Sequence, residues 1–254
     1  MAIKVKDGSV VKIDTTGMEY KELNARLRDI ASAGTKKVEL QNVCGQRYIG
    51  TDLNTEIDID VYGTPGNDLG AFMDGPRINV YGNAQDGCGN TMNNGEIIIH
   101  GHAGDITGLS ARGGKIFIRD DAGYRAAIHM KEYEEKKPSL VIGGTAQDFL
   151  GEYMAGGILI VLGLTLPEGQ GHRAKYIGTG MHGGVIYLRG SVEGYQLGRE
   201  VGTAEPEEED YLVLRQLIGQ YAGHFGLDTE KIMQGKFTKL FPRWLRPYGR
   251  LYAY

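Results

Sequence analysis

The chain has 254 residues, a formal net charge of −4, and no apolar run near the roughly 20 residues that span a bilayer. These values give no reason to expect nucleic acid or an acidic membrane as a partner, and they predict a cytoplasmic protein. Two cysteines, Cys44 and Cys88, do not make a disulfide framework. Glycine is unusually frequent: it supplies 40 of the 254 residues, against a usual share of about 7%. Because aliphatic residues are also plentiful, this composition favours an ordered fold with many tight turns.

The N-terminal part predicts a helix over roughly 18–32. Thr16 and Glu19 form a capping-box pattern just before it. We expect this helix to cover the first coil of the central domain, whose open strand edge would otherwise invite aggregation. The aliphatic residues with helical spacing are Leu23, Leu27 and Ile30.

A repeat of 19 residues organises the centre of the chain. With repeats starting at residues 44, 63, 82, 101, 125, 144 and 171, every repeat has two aliphatic residues at positions 15 and 17 after its start. Such alternation is typical of a half-buried strand. Strands that recur in this way predict a single-stranded, right-handed parallel β-helix of about seven rungs, stacked about 4.8 Å apart. The pairs are Ile59/Val61, Ile78/Val80, Ile97/Ile99, Ile116/Ile118, Leu140/Ile142, Leu159/Val161 and Ile186/Leu188. Val38 and Leu40 predict a further half-rung before them.

Glycines recur at the start of the repeats and seven positions later. We expect them at corners of the solenoid, where the backbone takes a positive φ or approaches a neighbouring turn closely. A phosphate-binding loop is a weaker interpretation, because no helix follows these glycines. The predicted corner glycines are Gly63, Gly70, Gly82, Gly89, Gly101, Gly108, Gly144, Gly151 and Gly178.

Two segments interrupt the repeat. Residues 120–143 carry an insertion that includes the charged sequence K-E-Y-E-E-K-K at 131–137, and residues 166–170 add a loop. Insertions in a solenoid usually project from one face as loops, and that face is often used for binding.

The C-terminal part changes character. Helices are predicted over roughly 207–222 and over 229–234, the second capped by Asp228. The last stretch combines basic and aromatic residues, and we expect it to pack on the solenoid or on another chain. The domain prediction is therefore an N-terminal strand and helix at 1–37, the β-helix at 38–200, and C-terminal helices with a basic-aromatic tail at 201–254.

Several residues could in principle bind a metal ion. Asp86, Asp105 and Asp148 share one repeat position with Asn67, which suggests either a column of calcium ligands or, more simply, caps for backbone N–H groups. His102 and His172 share another position but lie three coils apart, so they are not expected to share zinc. The prediction is that the chain binds no metal.

Catalytic signatures are also missing from the sequence. Ser110 and Ser191 have no G-x-S-x-G context, and the acidic residues at 205–210 are typical of a solvated helix start. Some β-helices carry catalytic carboxylates on a lateral face, so a carbohydrate-active enzyme stays open as an alternative. No catalytic or cofactor-binding residue is predicted.

Four segments of the repeat resemble a known family: G-N-D-L-G-A-F-M at 66–73, the run 82–101, G-H-A-G-D-I-T-G at 101–108 and the run 144–163. They resemble the G-x-G-x-G β-helix domain at the C-terminus of the glutamate synthase large subunit, which also occurs as the β-helix subunit of formylmethanofuran dehydrogenase. L-R-Q-L-I-G-Q-Y at 214–221 and F-T-K-L-F-P-R at 237–243 look like the segments that follow the β-helix in glutamate synthase.

The resemblance implies a structural role. In glutamate synthase this domain packs against a glutaminase domain and a synthase domain with FMN and iron–sulfur clusters, and it carries neither cofactor nor catalytic residue. A chain that starts at Met1 with only this domain looks like the split arrangement, in which each domain is a separate polypeptide. We therefore expect a scaffold subunit with FMN and iron–sulfur clusters on its partners, or alternatively the β-helix subunit of a formylmethanofuran dehydrogenase. Homo-oligomerisation also stays open.

Overall fold

A computed structural model describes residues 10–167 and 170–244 and has the architecture of a parallel β-solenoid. One eleven-stranded sheet runs through it, in the order β1-β2-β3-β4-β5-β6-β7-β8-β9-β11-β10. The first elements are β1 (Val11–Asp14), α1 (Tyr20–Ser32), β2 (Lys37–Cys44), β3 (Asp58–Thr64), β4 (Asp74–Tyr81) and β5 (Asn94–Ile99). They are followed by β6 (Lys115–Ile118), β7 (Ser139–Ile142), β8 (Ala155–Val161), β9 (Gly183–Arg189), β10 (Val201–Ala204), α2 (Glu208–Phe225), α3 (Thr229–Met233) and β11 (Phe237–Pro242).

The seven aliphatic pairs lie on strands β3 to β9 and point into the solenoid. Parallel pairing places each pair directly beside the next, as in the contact of Ile59 with Ile78 and of Ile78 with Ile97. All fourteen side chains are buried, and fully burying one such side chain stabilises a fold by about 1.5–3 kcal/mol. The predicted mainly-β parallel solenoid is confirmed, whereas its handedness stays a prediction.

The number and phase of the repeats need correction. Seven strands are joined by six connections, so the structure has about six turns where about seven rungs were predicted. The fifth repeat begins at residue 120, because Ala122 forms the same backbone bridge as Ala103 before it and Ala146 after it. The insertion therefore lies inside this repeat, and the start at 125 was wrong. The first repeat begins at Val43, which brings Gly50 to the corner position with a φ of 76°.

Helix α1 closes the N-terminal end of the solenoid. Leu23, Leu27 and Ile30 are buried in the same core as the aliphatic rows. The predicted capping box does not form: Glu19 is the N-cap and makes no side-chain capping bond, and helix α1 begins two residues later than predicted. Thr16 instead donates its backbone N–H and its hydroxyl to Asp14 Oδ1, at 3.0 and 2.7 Å.

One row of side chains on the outer face of the sheet changes character along the solenoid. Its members on β1 to β4 are polar, and those on β5 to β9 are apolar or aromatic. Helix α2 covers the apolar half and forms a second hydrophobic core with it. In order, the row consists of Lys12, Glu39, Asp60, Asn79, Ile98, Phe117, Val141, Ile160 and Tyr187.

Both ends of α2 are attached to the sheet by polar contacts. Asp210 at its start accepts hydrogen bonds from the Tyr187 hydroxyl at 2.6 Å and from Lys239 Nζ at 2.8 Å. Near its end, the Tyr221 hydroxyl donates to the backbone carbonyl of Arg119 at 3.0 Å. The helix covers 208–225 where 207–222 was predicted, so it extends three residues further along the sheet.

The C-terminal end is closed by antiparallel strands. Strand β11 pairs with β9 on one side and with β10 on the other, so the expected packing of this segment on the solenoid is confirmed for residues 237–242. Asp228 caps the short helix α3 as predicted, accepting from the backbone N–H groups of Glu230 and Lys231. The remainder of the basic-aromatic tail, at 245–254, lies outside the described residues. None of the helices in the described ranges is long and apolar enough to cross a membrane.

A valine at Gly151 tests the corner geometry. Gly151 has a φ of 66°, and a Cβ there would lie 2.6 Å from Ile186 Cδ1 in the core. Gly151→Val should therefore lower the free energy of unfolding by about 2–4 kcal/mol, from left-handed strain plus overpacking. Gly223→Ala is the control, because it lies in α2 with open space around it and should raise stability by up to about 1 kcal/mol. Equal stability of Gly151→Val and wild type in urea unfolding would contradict this geometry.

A second prediction concerns pH. Burial lowers the pKa of His100, His172 and His224 below the ordinary 6.5; Arg119 and His224 further lower that of His100, and Arg77 and Lys115 further lower that of His224. The unfolded chain then binds more protons than the folded chain below pH 6.5, so stability should fall as pH drops from about 6.5 to 5.

The carboxyl groups with lowered pKa values lose their stabilising effect below their ordinary values, 3.8 for Asp14, Asp120 and Asp210 and 4.5 for Glu205, outside this window. Urea unfolding at several pH values measures the slope, and His172→Gln should reduce it. A stability that is constant between pH 7 and 5 would contradict the prediction.

Candidate functional site

Columns of polar side chains connect successive turns on one side of the solenoid. Asp86 Oδ1 accepts the backbone N–H of Asp105 at 2.9 Å, and Asp105 Oδ1 accepts that of Tyr124 at 2.8 Å. Asp148 Oδ1 likewise accepts the backbone N–H of Lys175 at 2.8 Å. The aspartates that suggested calcium ligands therefore hold the next turn in place. No group of three or more His, Cys, Asp or Glu residues within 10–167 and 170–244 is arranged to hold a metal.

The other candidate ligands and nucleophiles have local roles. His102 Nδ1 lies 3.2 Å from the backbone nitrogen of Asp121, and buried His172 Nε2 lies 3.0 Å from the carbonyl oxygen of Arg189. Burial raises the pKa of the Cys88 thiol to about 12, which makes it a poor nucleophile at neutral pH. Cys44 is exposed. Ser110 occupies a corner with a φ of 52°, and Ser191 is exposed.

The predicted corner glycines fall into two geometric groups. Those seven positions after a repeat start have φ between 65° and 75°. Those at the start are needed for close approach: a Cβ on Gly82 would lie 2.7 Å from the carbonyl oxygen of Gly63. The first group consists of Gly70, Gly89, Gly108, Gly151 and Gly178, and the second includes Gly63, Gly82, Gly101 and Gly144.

Two further columns place residues other than glycine in the left-handed region, at positions five and nine after each corrected repeat start. The left-handed conformation lets the backbone N–H groups of most of these residues donate to carbonyl oxygens of the next turn. Phe149 donates to Lys175 O at 2.9 Å, and Tyr153 donates to Thr179 O at 2.8 Å. The fifth-position residues are Tyr48, Asp68, Ile106, Arg125, Phe149 and Tyr176, and the ninth-position residues are Asp52, Phe72, Thr91, Ser110, His129 and Tyr153, with φ between 51° and 64°. Gly87 and Gly180 occupy the same columns.

On the later turns these columns carry stacked rings. We call Arg125, His129, Phe149, Tyr153 and Tyr176 the aromatic ladder. The Arg125 guanidinium lies 4.7 Å from the centroid of the Phe149 ring, which stacks on Tyr176 at 4.8 Å. In the second column, His129 stacks on Tyr153 at 5.3 Å with an interplanar angle of 9°.

The aromatic ladder is costly for an isolated chain. Tyr153 and Tyr176 are 46% and 51% exposed, so they gain only part of the free energy of burial. A left-handed conformation costs a non-glycine residue about 1–2 kcal/mol, and glycine serves at the same positions on other turns. Exposed aromatic residues held in strained conformations are therefore candidates for contact with another molecule.

The sequence contains this signal, but the phase of the fifth repeat concealed it. With that repeat starting at 125, Arg125 and His129 do not align with the aromatic residues of later turns. With the start at residue 120, Arg125 falls at position five and His129 at position nine.

Comparison with known proteins places this architecture in a family. The sequence model of the GXGXG motif family matches residues 18–247. The chain belongs to the GXGXG motif family. An uncharacterized protein of Methanocaldococcus jannaschii is 48% identical to this GXGXG chain over 254 residues, and the match covers 96% of each.

A solved structure shares the fold. A chain in the X-ray crystal structure of the formyltransferase/hydrolase complex (FhcABCD) from Methylorubrum extorquens, in complex with methylofuran, matches with a TM-score of 0.61. The match covers 93% of this GXGXG chain and 96% of that chain. Their sequence identity is 19%, so the likeness concerns the fold.

The aromatic ladder should contribute little to the stability of the isolated GXGXG chain. Tyr176→Asn replaces an exposed left-handed aromatic residue with one that tolerates this conformation, and should change the free energy of unfolding by less than about 1 kcal/mol. Ile177→Ala, at the buried neighbouring position, should cost about 2–5 kcal/mol. A loss at Tyr176 as large as that at Ile177 in urea unfolding would show that the ladder stabilises the chain itself.

Proposed function

We propose that this GXGXG chain is a non-catalytic structural subunit of a multi-subunit enzyme complex and that a partner subunit packs on the aromatic ladder. The ladder is the observation that carries the proposal, because its exposure and left-handed strain oppose the stability of the chain alone. Tyrosine and arginine are among the residues enriched in the centres of protein interfaces. The solenoid supplies a rigid support, since every ladder residue is fixed by backbone hydrogen bonds or ring contacts between turns.

The fold comparison supports membership in a complex at a coarse level. The matched chain is part of a formyltransferase/hydrolase complex. A subunit role is accordingly consistent with the fold, while the particular partners remain part of the proposal.

For the particular complex, our leading proposal is a glutamate synthase. The repeat motifs resemble its β-helix domain, and its partners would be a glutaminase subunit and a synthase subunit that holds FMN and iron–sulfur clusters. The work of this chain would be to hold these two components in register for ammonia transfer in glutamate biosynthesis, in the cytoplasm.

The alternative is the β-helix subunit of a formylmethanofuran dehydrogenase, which the solved relative favours. Residues 214–221 and 237–243 no longer discriminate strongly between the two. Leu214, Leu217, Ile218 and Tyr221 of the first segment are buried on the inner side of α2, and residues 237–242 of the second form strand β11. The requirements of the fold therefore explain most of their sequence. A carbohydrate-active enzyme is a weaker candidate, because three of its possible carboxylates accept backbone N–H groups.

Purification of the tagged chain from its native host under mild conditions tests this proposal. A glutamate synthase predicts co-purification of a glutaminase and a flavin and iron–sulfur protein, whereas a formylmethanofuran dehydrogenase predicts subunits with molybdopterin or tungsten. The chain purified alone should contain no flavin or iron and should form no glutamate. Stoichiometric flavin that stays with the isolated chain would contradict the proposal.

Paired variants test the surface. Tyr153→Ser combined with Tyr176→Asn should reduce recovery of the partners at least about tenfold, which corresponds to about 1.4 kcal/mol of binding free energy. Leu212→Asn is the matched control, because Leu212 is 66% exposed on α2, outside the ladder. Equal recovery of the partners with the double variant and with the Leu212→Asn control would show that the ladder does not form the interface.

A further inference from the structure

A shallow basic groove opens where strands β5 and β6 begin. It has a volume of about 290 Å³, and three lysines, Lys115, Lys136 and Lys137, line it together with Asn94 and Glu96. Two of the lysines come from the insertion at 131–137, and the third comes from strand β6. The segment that departs from the repeat therefore creates this groove.

The insertion is fixed against the solenoid. The backbones of Tyr133 and Lys136 exchange hydrogen bonds of 3.2 and 3.0 Å and close a short hairpin. The hairpin lies directly on the preceding turn, because a Cβ added to Gly113 would lie 3.2 Å from Lys136 Cβ. The two lysines of the hairpin are thus held near Lys115 by the fold.

The charges around the groove are incompletely neutralised. Glu96 is already engaged by Arg77 Nε at 3.1 Å and lies 3.5 Å from His224 Nε2. Within the described parts of the chain, Lys115 has no carboxylate within 4.0 Å of its ammonium nitrogen. An unpaired ammonium beside two other lysines attracts negative charge.

The remaining pairs at the groove are weak. Lys136 lies 3.6 Å from Asp74 and Lys137 lies 3.9 Å from Glu132, with 40% and 64% of the two lysine side chains exposed. Exposed pairs of this kind contribute about 0–1 kcal/mol, so an incoming anion can replace them.

We propose that this groove binds a small anion with two or more negative charges, such as a phosphate, a pyrophosphate or a dicarboxylate. Lysine ammonium groups serve phosphates and carboxylates as point charges. A volume of about 290 Å³ accommodates an anion of this size with part of its hydration. None of the residues that line the groove belongs to the aromatic ladder, so variants of one leave the residues of the other in place.

Isothermal titration calorimetry with sodium pyrophosphate, inorganic phosphate and succinate tests the site, with sodium chloride at matched ionic strength as reference. We expect saturable binding of about one anion per chain. Lys115→Gln and Lys137→Gln should each weaken binding about tenfold. Lys36→Gln is the matched control, since it removes the same charge from an exposed position before strand β2 and should leave the affinity unchanged.

The outcomes separate the possible ligands. Preference for pyrophosphate supports a phosphate ligand, and preference for succinate supports a dicarboxylate. A response that sodium chloride reproduces, or an equal loss in Lys36→Gln and Lys115→Gln, would overturn the proposal. Circular dichroism of each variant confirms that the fold is intact, and failure of this site would leave the ladder experiments unaffected.

Discussion

The stacking of aliphatic side chains in parallel register is the interaction on which the rest of this structure depends. Each turn places two such side chains beside those of the next turn, and the two rows run unbroken from β3 to β9. A slip of one residue would turn both rows outward, so burial fixes the register strongly. Once the register is set, the side chains of each repeat position form columns on the outside, and the columns determine which surfaces the molecule presents.

The side chains in each column divide the outer surface into regions of different chemical character. The row from Lys12 to Tyr187 is polar on four strands and apolar on five, and α2 covers the apolar part. The polar part satisfies its own charges, as in the 2.8 Å ion pair between Lys12 and Glu39 and the 2.8 Å hydrogen bond that Asn79 donates to Asp60. The aromatic ladder differs from both, because it is partly apolar and left-handed and is exposed at His129, Tyr153 and Tyr176. This contrast is why we assign the contact with a partner to the ladder.

Much of the fold could be predicted from periodicity, because the aliphatic pairs report directly on burial. The same pattern gave a wrong repeat start where an insertion shifts the phase. The strand of the fifth repeat was aligned correctly, but the corners of that repeat were placed five residues too late in the sequence. The capping box at Thr16 failed because Asp14 binds that residue locally. The ladder was missed because ring stacking between turns depends on a correct phase, and the cover of α2 on the outer row is a contact between segments distant in sequence.

Hydrogen–deuterium exchange of the chain alone and within its native complex tests the central claim most directly. Backbone amides of the inner strands should exchange slowly in both states, because their hydrogen bonds are buried already. We predict that assembly increases protection mainly at residues 124–129, 149–153 and 176–179. Unchanged exchange there, with new protection confined to α2 or to the polar half of the sheet, would contradict the assignment of the ladder as the partner interface.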